Sequence, residues 1–346
     1  MKADAYGHGA VHLAPVIEAA GAAMIGVGDS SEALELRAAG IAAPILVLGD
    51  LVPAEIPDVV REEIIPVVHS GGRLAQLEEE AARQGRRVRI HLKVDTGMGR
   101  LGMLPSRLLA IARMARESSH LEVDGLMTHL AGHGPGGRKS NSDQVRLFAE
   151  LLGELRRMGM RPPNVHFRNS TALLEGESLG IEGETLSRTG ALVYGFSPGD
   201  EHHPPAGFRP VLSLHTQLVF LKDLPAGAPV GYDGIFITRR PTRLGVIPFG
   251  YHDGMRRTLA NKGSVIVRGC RVPVIGKVSM DYATIDITHV AGASVGDQVT
   301  IIGRERDAVI TVEEMAAMAG TSPYDFLCGL GRRVVRVPDA SGVVPA

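Results

Sequence analysis

The stretch Val88-Arg89-Ile90-His91-Leu92-Lys93-Val94-Asp95-Thr96-Gly97-Met98-Gly99-Arg100-Leu101-Gly102 joins an apolar, β-branched run to a glycine-rich loop. Such a run is typical of a β-strand. Residues Leu104–Glu117 follow, and their apolar side chains recur at helical spacing. The stretch therefore predicts a strand that leads through a polar loop into a helix, which is one βα unit.

The same pattern recurs through roughly the first 200 residues. Seven apolar runs predict strands, at Met24–Gly28, Pro44–Leu48, Ile64–Val68, Val88–Val94, Val123–Met127, Val165–Phe167 and Ala191–Tyr194. Helices are predicted between them, at Ser30–Ala39, Gly72–Gln84, Leu104–Glu117 and Ser142–Met158. Eight such units close a (β/α)8 TIM-type barrel, whose active site lies at the carboxyl ends of the strands. We expect the missing eighth strand to precede Lys2, so that the first strand of the barrel is truncated.

After about Pro205 the pattern changes to short alternating runs punctuated by Gly, Pro and Asp. These runs are Leu212–Leu221, Arg243–Phe249, Gly263–Arg268, Val272–Val278, Thr284–Ile287 and Asp297–Ile302. Such spacing indicates an all-β domain. The sequence therefore predicts an α/β barrel over residues 1–205 and a C-terminal β domain over residues 206–346.

Composition excludes several classes of protein. A formal net charge of −1 and a pI near 6.9 give no basic surface for nucleic acid or anionic lipid. Cys270 and Cys328 fit no metal-binding spacing, and two distant cysteines indicate reduced thiols in the cytoplasm. We therefore expect a cytoplasmic protein that binds neither a metal, nor nucleic acid, nor a membrane.

Lysine is scarce, with six residues in the chain, so it is not the routine surface charge. Lys2 stands in the motif Lys2-Ala-Asp-Ala-Tyr6-Gly-His-Gly9. A lysine amine can form a Schiff base, and nearby hydroxyl and backbone N–H groups can hold a phosphate. The alternative interpretation is a frayed, solvated chain start.

Polar clusters follow several predicted strands. They are Lys93–Gly102, Thr128-His129, His166–Ser170 and Ser187–Ala191. Alone, each is weak evidence, because a loop glycine is often a turn residue and a lone histidine is often a satisfied core group. Together they fall where a barrel places its active site, and Ser170 and Gly190 follow the last strands, where barrel phosphate sites usually lie.

These motifs resemble the alanine racemases in order and spacing across essentially the whole chain. The matching segments are Lys2–Gly9, Lys93–Gly102, Asn169-Ser170, Arg188-x-Gly-x-x-x-Tyr-Gly195, Gly231-Tyr232, Gly250-Tyr251-x-Asp-Gly254 and Met280-Asp281. The opening motif and Lys93–Gly102 are the specific ones, since Gly-Tyr pairs alone mean little.

The resemblance implies an enzyme that uses pyridoxal 5′-phosphate to interconvert L- and D-alanine for cell-wall peptidoglycan. Lys2 would carry the cofactor as a Schiff base and serve as one acid/base group, and Tyr232 of the partner subunit in a homodimer would be the other. Arg188 would face the pyridine nitrogen and keep it unprotonated. Arg100 would bind the cofactor's phenolic oxygen and the substrate carboxylate, with the Met280 backbone N–H as a second donor.

The resemblance assigns supporting roles as well. The phosphate would be held by Tyr6, Ser170, Gly190 and Ala191. His129 would pack on the cofactor ring, with Asn169 and His166 as polar support, and Tyr251 and Asp281 would line the entrance. Lys93 would be carbamylated and brace Arg100, or else serve as an ordinary charge at the strand end.

Two departures from the family stand out. A few dozen residues normally precede the lysine that matches Lys2, whereas Met1 alone precedes it here, which indicates a late start or a fragment. Gly329–Arg333 offers arginine where some relatives place a phosphate-binding tyrosine.

Other functions stay open at this point. A racemase for serine, lysine or ornithine would differ in pocket width. A non-catalytic pyridoxal-phosphate-binding barrel protein would lack the β domain and Tyr232. A decarboxylase of the same barrel type would place glutamate where this chain has Arg188.

Overall fold

The structure, a computed structural model, describes residues 1–132, 134–174, 181–198 and 206–339. It divides into two compact units, of which the first comprises Met1–Ala5 and Gly9–Gly190 and the second comprises Tyr6–His8 and Ala191–Ala346. The predicted division after residue 205 lies outside the described residues.

The first unit has a parallel sheet whose strands follow one another in chain order. Its six described strands are β1 (Ile25–Val27), β2 (Ile45–Val47), β3 (Ile65–Val68), β4 (Val88–Lys93), β5 (Leu121–Met127) and β6 (Asn164–His166). The helices of this part of the chain are α1 (Lys2–Gly7), α2 (Ala10–Ala19), α3 (Ser30–Ala38), α4 (Ile56–Arg61), α5 (Gly71–Gln84), α6 (Pro105–Glu117), α7 (Gly134–Arg157) and α8 (Ser170–Leu174). Parallel strands joined by helices confirm the predicted barrel class.

Local sequence signals mark the ends of α3 and α5. The Asp29 side chain accepts a hydrogen bond from the Glu32 N–H and caps α3, and Ser70 caps α5 in the same way. Gly85 ends α5 in the left-handed conformation, with φ of 65°. The neighbouring strands bury a shared cluster that includes Leu46, Ile65, Val67 and Met127.

The predicted strand Ala191–Tyr194 is wrong, because these residues form turns. The N–H groups of Tyr194 and Gly195 donate to the carbonyl oxygens three residues earlier, at Ala191 and Leu192. Ala191, Leu192 and Tyr194 are buried in the second unit without strand pairing, and Val193 is exposed, so the apolar run reflects burial in a turn. The segment that runs beside β6 lies earlier, with a parallel bridge between His166 and Leu186.

Other boundaries shift as well. Helix α7 begins at Gly134, before the predicted Ser142, and α2 was not predicted because its apolar residues show little helical segregation. The predicted strand Leu212–Leu221 is two strands, β7 (Leu214–Gln217) and β8 (Phe220–Leu224), which pair with different partners.

Helix α1 is a single left-handed turn. Ala3, Asp4, Ala5 and Tyr6 have φ between 52° and 55°. For L-residues this conformation costs about 1–2 kcal/mol each. The backbone immediately after Lys2 is therefore strained and must be held by its surroundings.

Strand β5 contains a bulge beside β4. Ile90 pairs with Val123 and His91 pairs with Gly125, so Asp124 is an extra residue without a partner in the register. A bulge re-aims side chains relative to a regular strand. Asp124 is buried as a result, although a strand interior does not favour aspartate.

The second unit is dominated by antiparallel strands, which confirms the predicted β domain. Besides β7 and β8 these are β9 (Pro229–Val230), β10 (Phe236–Ile237), β11 (Thr242–Ile247), β12 (Ser264–Val267), β13 (Cys270–Ile275), β14 (Ala283–Asp286), β15 (Gln298–Glu305) and β16 (Ala308–Ile310). Two helices that were not predicted follow, α9 (Val312–Ala319) and α10 (Pro323–Cys328). Among the described residues, no helix has both the length and the apolar character that crossing a bilayer requires.

Candidate active site

Lys2 lies beside the loop that follows β1. A Cβ built on Gly28 would come within 3.4 Å of the Cβ of Lys2, so the two backbones are close. Glu32, in the first turn of α3, accepts hydrogen bonds from the N–H of Gly28 at 2.6 Å and from the N–H of Asp4 at 3.1 Å. Its carboxylate thereby ties the left-handed turn to the carboxyl end of β1. Sequence reasoning missed this role, because Glu32 also fits an ordinary helix start.

Lys93 is the last residue of β4 and is buried. Burial lowers the pKa of its amine to about 8, and the positive charges of Arg188, Arg100 and Lys2 lower it further, against the opposing effect of Asp95. A buried amine with such a pKa is partly uncharged near neutral pH, and the uncharged amine is the nucleophilic form.

The loop after β4 is organised by the carboxylate of Asp95. This carboxylate accepts hydrogen bonds from the N–H groups of Gly97, Met98 and Gly99 at 2.8–3.2 Å. Burial alone would raise the pKa of Asp95, but these bonds lower it overall, so the group is charged. The tight turn around Asp95 places Arg100 close enough for its charge to lower the pKa of Lys93.

Arg188 is the best-connected side chain of the candidate site. Its Nη1 lies 2.8 Å from His166 Nδ1, and its Nη2 donates to the carbonyl oxygens of Thr128 at 2.8 Å and Phe167 at 3.2 Å. Nη2 also lies 3.2 Å from His129 Nδ1. Burial lowers the pKa of Arg188 to about 10, which still leaves a cation at neutral pH.

His129 follows β5 and is neutral. Burial lowers its pKa to about 3, and the charges of Arg188, Lys93, Arg100 and Lys2 contribute in that order. A neutral imidazole can accept the Arg188 N–H at Nδ1 and present its face to a flat ligand. The charges of Lys2, Arg100 and Arg188 thus act on both Lys93 and His129 within the first unit, and the roles assigned to these five residues stay a prediction.

A polar brace that the sequence did not reveal supports this group. Gln144 of α7 donates to the His129 carbonyl oxygen at 3.1 Å and accepts from the Ala131 N–H at 2.9 Å. It also donates to the Thr96 hydroxyl at 3.3 Å, which lies 2.8 Å from the Thr128 hydroxyl. The loops after β4 and β5 are therefore joined through buried side chains.

Ser170, Asn169 and Gly190 lie together at the end of β6. The Ser170 hydroxyl accepts from the Gly190 N–H at 3.0 Å, and Asn169 Oδ1 accepts from the Ala172 N–H at 3.0 Å, capping the short helix α8. Hydroxyl and backbone N–H groups at a helix start suit a phosphate. Asn169 therefore caps the helix to which Ser170 belongs.

Tyr6, in the second unit, packs in an aromatic cluster. Its ring centroid lies 5.2 Å from that of Tyr194 and 5.4 Å from that of Tyr324. Burial raises the pKa of Tyr6 to about 12, so the phenol is a hydrogen-bond donor at neutral pH. Ala191 is buried in the same unit.

Tyr251, Met280 and Asp281 are brought together by neighbouring loops of the second unit. Tyr251 donates its N–H to the Ser279 carbonyl oxygen at 3.0 Å, and a Cβ on Gly250 would lie only 2.2 Å from the Met280 carbonyl oxygen. Asp281 accepts from Arg333 at 2.7 Å, and Arg333 also binds the buried carboxylate of Asp253.

Tyr232 lies on the surface of the second unit, with 70% of the residue exposed. It follows Gly231, whose φ is 74° and on which an added Cβ would lie 3.2 Å from the backbone nitrogen of Lys277. Asp233 forms an ion pair with Lys277. Met280 is also exposed, so these loops present apolar and aromatic groups to solvent.

Comparisons with known proteins show the family to which this chain is similar. The family model for the alanine racemase N-terminal domain matches residues 1–198, and that for the C-terminal domain matches residues 211–338. An alanine racemase of Thermodesulfovibrio yellowstonii is 39% identical over 97% of this chain and 88% of its own length. One of Syntrophobacter fumaroxidans is 37% identical over 96% of this chain and 88% of its own.

Solved structures give the same result. The alanine racemase of D-cycloserine-producing Streptomyces lavendulae has a TM-score of 0.90 and 34% identity, over 96% of this chain and 87% of that one. The Bacillus anthracis alanine racemase with bound L-Ala-P has a TM-score of 0.86 and 32% identity, over 96% of this chain and 85% of that one.

Proposed function

Because this chain belongs to the alanine racemase family, and is an isomerase that interconverts L- and D-alanine, we propose that it works with pyridoxal 5′-phosphate and two acid/base residues. The observation that supports this most strongly is the electrostatic grouping of the Lys2 amine with Lys93, Arg100, His129 and Arg188 in the first unit. The Arg100 and Arg188 cations of this group, with the exposed Lys2 amine, suit an anionic ligand that carries an aldehyde.

The residues present fit this cofactor. Lys2 would hold it covalently, and Ser170, with the N–H groups of Gly190 and Ala191 and the Tyr6 phenol, would bind its phosphate. His129, neutral because of burial, would pack on its ring. When bound, the cofactor supplies an electron sink for the carbanion at the substrate Cα.

Arg188 would meet the pyridine nitrogen. The hydrogen bonds described for its guanidinium use Nη1 and Nη2. Because the guanidinium is planar, these bonds also fix the direction of its Nε–H bond. A guanidinium with a pKa of about 10 donates without giving up its proton near neutral pH. Arg188 would therefore leave the ring nitrogen unprotonated, weakening the sink and favouring proton return over transamination.

Lys2 and Tyr232 would move the protons. Racemisation removes a proton from one face of Cα and returns one to the other, so two groups on opposite faces are needed. Lys2 would serve one face, and Tyr232 of the partner subunit would serve the other. The exposure of Tyr232 in the single chain is what a residue that completes a neighbouring subunit's site requires.

Other residues would bind the substrate. Arg100 and the Met280 N–H would hold the carboxylate, with Lys93, as a carbamate, bracing Arg100, and Tyr251 and Asp281 would line the entrance. We further propose a cytoplasmic homodimer, a domain division near residue 205, and supply of D-alanine for peptidoglycan.

Cofactor attachment is tested by borohydride reduction of the purified protein followed by peptide mapping. The label should be found on Lys2, and Lys2→Ala should bind no cofactor covalently. A label on Lys93 or Lys277 would refute the assignment.

The shared site is tested by mixing two inactive variants. Lys2→Ala and Tyr232→Phe homodimers should each lack racemase activity, whereas a mixed dimer has one site with both residues intact. Refolding an equal mixture should restore about a quarter of wild-type activity, because statistical pairing makes about half the dimers mixed and each holds one intact site of two. A mixture that stays inactive although mass spectrometry detects mixed dimers would place Tyr232 in its own subunit's site or outside the site.

A further inference from the structure

A continuous chain of buried polar side chains runs from β5 to Arg188. Asp124 Oδ2 lies 3.2 Å from His91 Nε2, His91 Nδ1 lies 2.8 Å from His166 Nε2, and His166 Nδ1 lies 2.8 Å from Arg188 Nη1. Asp124, His91 and His166 are all buried. The end that contains Asp124 and His91 has no part in the function proposed above.

Donor and acceptor chemistry determines every proton in this chain. A guanidinium has only donors, so His166 must accept at Nδ1 and a neutral His166 carries its proton on Nε2. That Nε2–H donates to His91 Nδ1, which leaves the His91 proton on Nε2. His91 Nε2–H then donates to the Asp124 carboxylate, which can only accept.

The charge states agree with this direction. Burial lowers the pKa of both histidines, that of His166 well below its ordinary value, so both are neutral near pH 7. The hydrogen bond from His91 lowers the pKa of Asp124, so it is a carboxylate. A cation and an anion therefore stand at the two ends of a chain whose hydrogen bonds all point the same way, and such bonds strengthen one another.

The fold builds this arrangement through the bulge in β5. The bulge leaves Asp124 out of register with β4, and Asn164 of β6 donates to Asp124 Oδ2 at 3.1 Å. Next to it, a Cβ on Gly125 would lie 2.4 Å from His91 Nδ1, so the imidazole rests against bare backbone. The two bulge residues thus provide the acceptor for His91 and the space that it occupies.

We infer that Asp124 is a positioning residue, which acts through His91 and His166 to fix one tautomer of each histidine and so hold Arg188 in a single orientation. The consequence for catalysis rests on the proposed role of Arg188, whereas the chain of hydrogen bonds does not. Replacing the Asp124 carboxylate should weaken each hydrogen bond of the chain and leave the Arg188 guanidinium less firmly held.

The first test is made on the wild-type protein with 15N-labelled histidine. Two-bond proton–nitrogen correlation spectra distinguish a protonated ring nitrogen from an unprotonated one, and His91→Gln and His166→Gln identify the signals. Both histidines should be protonated at Nε2 alone from about pH 7 to about pH 9. Protonation of either at Nδ1, or titration within that range, would overturn the inference, and neither result depends on cofactor or activity.

The second test uses Asp124→Asn, with Asp143→Asn as a control that removes an exposed carboxylate from α7. Asp124→Asn should shift the nitrogen signals of His166, which Asp124 does not touch, and lower kcat about tenfold, as loss of an outer hydrogen-bond partner does at metal sites. KM should change less than about twofold, because Arg188 faces the ring and not the substrate carboxylate.

Gly125→Ala provides an independent disturbance, since its methyl group must displace the His91 ring. It should shift the His166 signals and lower kcat in the same direction. Unchanged nitrogen signals of His166 in a folded Asp124→Asn or Gly125→Ala protein would refute the positioning role of Asp124. Shifted signals together with a wild-type kcat would refute it as well. If the wild-type protein itself racemises no amino acid, the proposed function fails. The tautomer measurement then still tests whether the hydrogen bonds run from Arg188 to Asp124 in the inferred direction.

Discussion

The carboxylate of Glu32 accepts a hydrogen bond from the Gly28 N–H at 2.6 Å, while its other oxygen accepts from the Asp4 N–H at 3.1 Å. One side chain of α3 therefore connects the end of β1 with the turn that follows Lys2. The position of the lysine depends on this connection as much as on its own backbone.

Glu32→Gln should loosen that connection, because an amide has only one acceptor oxygen. Its NH2 group would face one of the two backbone N–H donors, and two donors cannot form a hydrogen bond. We expect a loss of about 1–2 kcal/mol in the free energy of unfolding and a fall in kcat/KM of about tenfold or more, since small displacements of a catalytic group are costly. Glu35→Gln on an exposed position of the same helix is the control. Equal behaviour of the two variants would show that Glu32 does not position Lys2.

Ala3→Gly tests the strain of the left-handed turn. Glycine adopts positive φ without steric cost, so the variant should be as stable as wild type or more stable by up to about 1 kcal/mol. Ala75→Gly, at an exposed position inside the right-handed helix α5, should instead lose about 1 kcal/mol. Chemical denaturation of both variants gives the comparison, and equal losses would contradict the strained turn.

Lys93 should react with carbon dioxide. With a pKa of about 8, about a quarter of its amines are uncharged at pH 7.5, against about one in a thousand for an ordinary lysine. A 13C spectrum recorded in labelled bicarbonate should show one carbamate signal that is absent from Lys93→Arg. A signal that persists in that variant would place the modification elsewhere.

Without carbon dioxide, Lys93 should make stability depend on pH. Its pKa is about 8 in the folded chain against 10.5 when unperturbed, so between these values the unfolded chain binds more protons at this residue. The free energy of unfolding should therefore rise with pH across this window, by roughly 3 kcal/mol relative to Lys93→Met. If the free energy of unfolding changes with pH in the same way for both proteins in carbon-dioxide-free buffers, burial does not disfavour the protonated Lys93 amine.

Arg188→Glu should alter the balance of reactions. A carboxylate there would stabilise a protonated ring nitrogen and strengthen the electron sink, so transamination should rise relative to racemisation. Arg188→Gln removes the cation without supplying a carboxylate and should lower activity with no such rise. The ratio of pyruvate to D-alanine formed from L-alanine measures the effect, and equal ratios for the two variants would argue against contact between Arg188 and the ring.

The sequence predicted the parts of the fold whose signal is local. The strand that ends at Lys93 and helix α5, with its cap at Ser70 and its stop at Gly85, could be identified because periodicity and capping act over a few residues. The run Ala191–Tyr194 could not, because Tyr194 is buried against Tyr6 and His8, which are distant in the sequence, and an apolar run that is buried in a turn has the same sequence pattern as a strand.

The candidate site divides in the same way. Lys2, Arg100 and Arg188 were identified from motifs that match a known family. The roles of Glu32, Gln144 and Asp124 depend on contacts with residues that lie 28, 48 and 33 positions away in the sequence, respectively. Asp124 in particular depends on a strand bulge, and a bulge has no signal in the pattern of a single strand.

The left-handed turn after Lys2 has a consequence for chirality. Its hand is the one that D-amino acids adopt without strain, and two of its residues, Ala3 and Ala5, are alanines. A synthetic segment with D-alanine at those two positions should form the same turn at a lower conformational cost than the natural residues. The backbone next to Lys2 thus suits D-alanine better than the L-alanine that stands at positions 3 and 5.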